Sequence, residues 1–126
     1  MTLIIGGAYQ GKLAYAQTRF DVPSGQIFYC SEEDIAIPNC KTVIYGLDRW
    51  ILALIRKNIS IAAEVKLFME QSKNAVVICN DISCGVVPTD PVMRKWREET
   101  GRALGVLAQN ADEVIRLFCG IPTKLK

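Results

Sequence analysis

Eight residues near the start of the chain, Gly6-Gly7-Ala8-Tyr9-Gln10-Gly11-Lys12-Leu13, follow the apolar run TLII and precede AYAQTRF. In the pattern GxxxxGK[ST], backbone N–H groups surround phosphates, the lysine reaches the outer ones and the last hydroxyl ligates magnesium. Gly6, Gly11 and Lys12 keep that spacing, while Leu13 stands where the hydroxyl belongs. All eight are candidate nucleotide-binding residues, for ATP or GTP, because no base-reading motif is visible. Lys12 is the candidate for charge compensation during phosphoryl transfer. Leucine removes an inner-sphere oxygen, although magnesium usually keeps several waters and another can take the vacated place. Weakened metal binding follows more securely than lost nucleotide binding.

A second magnesium contact normally comes from an acid at the end of a neighbouring buried strand. The run TVIY ends in Tyr45, with Asp48 three residues beyond, and AVVIC is followed by Asn80-Asp81. Each acid also reads as an ordinary strand-end turn or helix cap, more readily so for Asp48. Asp81 is the preferred candidate for Mg2+, because the carboxyl ends of parallel strands place ligand-contacting residues.

The elements that must position these groups are legible in the apolar pattern. Thr2–Ile5, Ile27–Cys30, Thr42–Tyr45, Ala75–Cys79 and Val114–Cys119 are short near-continuous apolar runs, as in strands buried on both faces. Helical segments alternate with them. One opens from the glycine loop over Gly11–Arg19, and Leu47–Gln71 carries a 3.6-residue period as one helix or two with a break near Asn58–Ser60. A third runs over Asp90–Asn110, with Asp90 as N-cap and Pro91 at the first helical position. Ile121–Lys126 forms a short last strand or a tail. The alternation predicts an α/β fold: a mostly parallel sheet of about five strands flanked by helices, P-loop NTPase-like, with residues 1–126 as a single domain.

Composition narrows the function further. With 126 residues, half of them hydrophobic, the chain has the balance of a soluble globular protein. A net charge of +2, with lysines and arginines dispersed, gives no support to nucleic-acid binding. The start lacks a signal-peptide pattern, and no apolar run reaches the ~20 residues a membrane span requires. A cytoplasmic location is expected. Five cysteines, Cys30, Cys40, Cys79, Cys84 and Cys119, contain no CxxC pair, and there is no histidine, so no zinc motif is present. Most of the cysteines lie in apolar stretches such as VVICN and RLFCG and read as reduced, buried core residues.

The last third of the chain resembles the bifunctional adenosylcobinamide kinase/adenosylcobinamide-phosphate guanylyltransferase family of cobalamin biosynthesis. The resemblance rests on Asn80, Asp81, Gly85, Val87-Pro88, Pro91, Arg94, Arg97, Gly101-Arg102, Ala111-Asp112, Val114, Gly120, Pro122 and Leu125-Lys126. GGAYQGK is also similar to that family's GGARSGKS, and VIYGLDRW to its VDCLTLW segment. The resemblance implies an ATP- or GTP-dependent kinase acting on the aminopropanol hydroxyl of cobinamide, and an oligomer, typically a homotrimer. It also implies a second activity, GMP transfer through a nucleotidyl-histidine.

Departures from the family are concentrated at the chemistry. Only SEEDIAIPNCK joins the second and third apolar runs, where the family carries its nucleophilic histidine, and this chain has no histidine. Guanylyltransferase activity is therefore predicted absent. Leu13 replaces the loop hydroxyl and Tyr45 the acid of VDCLTLW. Lys12 is retained, Asp81 can hold a metal-bound water or orient the acceptor hydroxyl, and Arg94 and Arg97, sharing a helix face, are candidate phosphate or substrate contacts. Two readings stay open: a shortened cobinamide kinase, or a non-catalytic nucleotide-binding relative acting as a sensor or subunit partner.

Overall fold

In the computed structural model, residues 1–83 and 85–126 are described; Cys84 lies outside them. The order of elements is β1 (Thr2–Gly6), α1 (Lys12–Phe20), β2 (Ile27–Tyr29), β3 (Val43–Tyr45), α2 (Leu47–Arg56), α3 (Ile61–Gln71), β4 (Val76–Asn80), α4 (Pro91–Asn110), β5 (Glu113–Phe118) and β6 (Ile121–Lys124). The strands form one sheet in the order β2-β3-β4-β1-β5-β6. All neighbours are parallel except β5 and β6. The fold is the expected α/β, P-loop NTPase-like one, with its short sixth strand supplied by the Ile121 segment.

Burial on both faces explains the continuous apolar runs. Leu3, Ile44 and Val77 point into a cluster with Leu54 of α2, Phe68 of α3 and Leu107 of α4. Their chain neighbours Ile4, Val43 and Ile78 point to the other face, where Ala16 of α1 covers them. Successive strand side chains alternate between faces, so a strand covered on both sides has no polar face to reveal it.

Local chemistry sets the helix boundaries. Residues 57–60 separate α2 from α3, with Asn58 left-handed at φ 54 and the Ser60 hydroxyl accepting a hydrogen bond from Ala63 N (3.5 Å). Asparagine tolerates this conformation better than most residues. The Asp90 carboxylate caps α4 by accepting from Val92 N (2.8 Å) and Met93 N (3.2 Å), with Pro91 next. SEEDIAIPNCK crosses from β2 to β3 without regular structure, tied to the core through Trp50 Nε1, which donates to Ile35 O (3.0 Å).

Cys119 departs from the expected burial. It and Gly120 form the turn between β5 and β6, with φ of 52 and 73, and Cys119 is exposed. Positive φ at both central residues is what a tight hairpin turn demands, and it lifts the cysteine out of the β5 alternation. Cys40 is also exposed, whereas Cys30 and Cys79 are buried. No helix among the described residues is long and apolar enough to cross a membrane.

Candidate functional site: the loop between β1 and α1

Register brings the carboxyl ends of three strands to one edge. Gly6 of β1 pairs with Asn80 of β4, and Tyr45 of β3 with Ile78 of β4. The loop Gly7–Gly11 leaves this edge and turns directly into α1. Gly11, the residue before the helix, is left-handed at φ 83. No side chain caps the helix and its first turn holds no acid, so its leading N–H groups face the loop unopposed by a local carboxylate. Gly6 is required for packing: a Cβ there would lie 2.4 Å from the backbone oxygen of Leu117. Tyr9, at φ 59, is fully exposed at the apex.

The loop is held from the far side of the sheet. Gln10 Oε1 accepts from Cys119 N (2.5 Å), and Gln10 O accepts from Gly120 N (3.2 Å). The β5–β6 turn thus braces the loop. Gln10, expected only as a loop residue facing phosphate, spends its side chain on this brace.

Lys12 is only 4% exposed, and its ammonium donates to Gly7 O, closing the loop on itself. Burial lowers its pKa from the ordinary 10.5, opposed chiefly by the negative charge of Asp48. Asp48, 3% exposed, lies in the first turn of α2. Its Oδ1 accepts from Asn80 N (3.1 Å) and its Oδ2 from Asn80 Nδ2 (3.4 Å), fastening α2 to the end of β4. Cys79 beneath them is fully buried, and burial first, then Asp48, pushes its thiol well above the ordinary range.

The other predicted site residues occupy different places. Asp81 turns to the following segment, where its Oδ1 accepts from Ser83 N (3.1 Å) and Ser83 Oγ (2.5 Å). Its backbone N donates to Gly6 O (2.9 Å), so it sits at the same strand edge as the loop. Arg97 Nε and Nη2 donate to Ser83 O (2.8 Å) and Gly85 O (2.9 Å), clamping that segment to α4. Arg94 and Arg97 line a separate cleft with Ser83, Val87, Glu98 and Gly101, not the one at the loop.

The loop cleft has a volume of about 190 Å³ and is lined by Ala8–Ala14 together with Tyr45, Arg49 and Asn80. Arg49 was not among the residues singled out from sequence. It occupies the first turn of α2, where a cation opposes the helix dipole, and that misplacement is the one local signal of a non-structural role.

No residue lining the loop cleft supplies a carboxylate for a magnesium ion, and Asp81, the candidate ligand at the same strand edge, accepts from Ser83. Leu13 and Tyr45 replace the expected hydroxyl and acid, and both Asp48 oxygens accept from Asn80. Magnesium is bound through hard oxygen ligands, usually including one or two carboxylates.

Comparison with protein families gives a match over most of the chain. The profile described as CobU, Cobinamide kinase / cobinamide phosphate guanyltransferase, matches residues 39–125. The chain belongs to this family. The CobU match includes β3 through β6 and therefore Tyr45, Asp48, Arg49, Asn80, Asp81 and all of α4; it begins beyond the Gly6–Leu13 loop. Comparison with curated proteins found no match.

Proposed function

We propose that this CobU-family chain is a nucleotide-binding protein that holds ATP or GTP through its phosphates at Gly6–Lys12. The carrying observation is the joining of β1 to α1 by a glycine loop whose lysine closes its mouth, at an edge where three parallel strands end. Backbone N–H groups at a helix start favour negative charge, and Lys12 adds a cation to them. A volume of about 190 Å³ suits phosphates rather than a whole nucleotide, since drug-sized pockets measure about 300–1,000 Å³. The nucleoside then lies outside the cleft, against the exposed loop face.

The donor set favours nucleotide holding over rapid magnesium-dependent transfer. A second reading, slow phosphorylation of the cobinamide hydroxyl, draws support from family membership and from Asp81 at the strand edge, where it can orient an acceptor. Guanylyl transfer is not part of the proposal, because the family's route runs through a histidine and the chain has none.

Calorimetric titration with ATP and GTP, comparing the wild type with Lys12→Ala, tests the binding reading, and a cobinamide-phosphorylation assay on the same protein separates the two outcomes. Saturable binding that falls at least about tenfold in Lys12→Ala is expected. Equal affinity of wild type and variant would make the loop a structural turn.

A further inference from the structure

Two cations and no carboxylate line the loop cleft. Lys12 is committed to the loop through Gly7 O, whereas the Arg49 guanidinium makes no hydrogen bond or ion pair with the described residues. Four of the six other arginines have such work: Arg19 pairs with Glu113, Arg56 with Glu32 and Arg102 with Glu98 and Glu99, while Arg97 donates to Ser83 O and Gly85 O. Arg49 is nevertheless placed with care. Gly46 is left-handed at φ 81, and its N donates to Ile78 O (2.9 Å), so α2 starts immediately beyond β3. That turn delivers the third residue of the helix to the rim of the cleft.

A cation here costs rather than adds helix stability, because the N-terminal end of a helix already carries partial positive charge. The neighbouring Asp48 is turned to Asn80 and no carboxylate among the described residues pairs with the guanidinium, so an anion in the cleft would offset that cost. Together Arg49 and Lys12 carry two positive charges, the same as one magnesium ion, beside the loop N–H groups. The guanidinium fork also matches two phosphate oxygens at once. Aligned on VDCLTLW, the chain has tyrosine in place of the acid, Asp48 in place of the threonine and arginine in place of the leucine before tryptophan. Asp48 is turned to Asn80 and does not line the cleft, so the lining itself exchanges an acid for a cation.

We infer that Arg49 acts with Lys12 to neutralise the bound phosphates in place of a divalent cation, so that this chain binds nucleoside triphosphates without requiring magnesium. The inference rests on the nucleotide-holding reading and specifies how the phosphates are compensated there. The nucleoside need not take part, so inorganic tripolyphosphate is a ligand of the same site.

The test is calorimetric titration of ATP, GTP and tripolyphosphate, each in EDTA and in excess magnesium, with wild type, Arg49→Ala, Arg49→Lys and Lys57→Ala. Lys57 is exposed at the opposite end of α2 and serves as the control for net charge. Wild-type affinities should agree within about twofold between the buffers, Arg49→Ala should weaken binding in EDTA at least about tenfold, Arg49→Lys should recover part of that, and Lys57→Ala should match wild type. Circular dichroism checks that the variants are folded. Binding that strengthens about tenfold or more with magnesium, or that is equal in Arg49→Ala, overturns the role of Arg49 while leaving nucleotide holding intact. No binding of any ligand in either buffer overturns both.

Discussion

Replacing Gly6 by alanine tests whether the loop is built by packing against β5. A Cβ at this position would meet Leu117 O at 2.4 Å, in a backbone conformation, φ 152, that side chains rarely adopt. The opposing atom is backbone, so relief requires moving the end of β5 away by at least about 0.6 Å. Hydrogen bonds near 2.9 Å do not survive that displacement, and losing one or two costs about 1–2 kcal/mol. Backbone strain adds about 1–3 kcal/mol, giving roughly 2–5 kcal/mol in all. At about 3–5 °C per kcal/mol for a domain of this size, the thermal midpoint should fall by about 6–25 °C. Urea denaturation followed by circular dichroism measures the loss, with Gly7→Ala as the control, whose Cβ would make only ordinary contact at 3.8 Å with Gln10 Cγ. A Gly6→Ala protein within about 0.5 kcal/mol of wild type, or a Gly7→Ala protein damaged as much, would refute the reasoning.

Two further outcomes follow from the buried charges. Asp48→Ala removes the acceptor for both Asn80 donors and should cost about 1–3 kcal/mol in a urea titration, whereas Asp48→Asn, which keeps an oxygen for Asn80 N, should cost less; loss of the negative charge should also lower the Lys12 pKa further, measurable by the pH dependence of amine labelling. Burial pushes the Cys30 thiol from 9.0 up to about 12, so the folded state keeps a proton that the unfolded chain releases: its contribution to stability is complete below pH 9 and disappears as pH rises towards 12. From pH 8 to pH 10 the loss from this one thiol should be about 1.4 kcal/mol, and Cys30→Ala should flatten the fall by that amount. Cys79 acts in the same direction, while Lys12, lowered from 10.5, acts against both by favouring the folded state as pH rises to that value.

The sequence by itself placed five strands, the helical segments and the glycine loop, and named Asn58–Ser60 as the point where one long helix would divide into two; the structure decided that it divides and that the last segment is a strand. Each feature so placed is a local or periodic property: apolar runs mark strands covered on both faces, and Asp90-Pro91 marks a helix start within a few residues. It also showed that Leu13 and Tyr45 offer no magnesium ligands of the expected kind, since that depends only on which atoms a side chain carries. Tertiary structure decided which charged groups share the cleft. Asp48 and Asp81 both follow strand ends, yet Asp48 is the acid that bears on Lys12 while Asp81 holds Ser83. Arg94 and Arg97 belong to another cleft, and Arg49, far from Lys12 in the chain, reaches the loop. Gln10 is bonded to a turn at the opposite end of the sequence. These pairings arise from the strand order β3-β4-β1-β5, which brings distant segments to one sheet edge; residue spacing along the chain carries no record of which strand ends become neighbours.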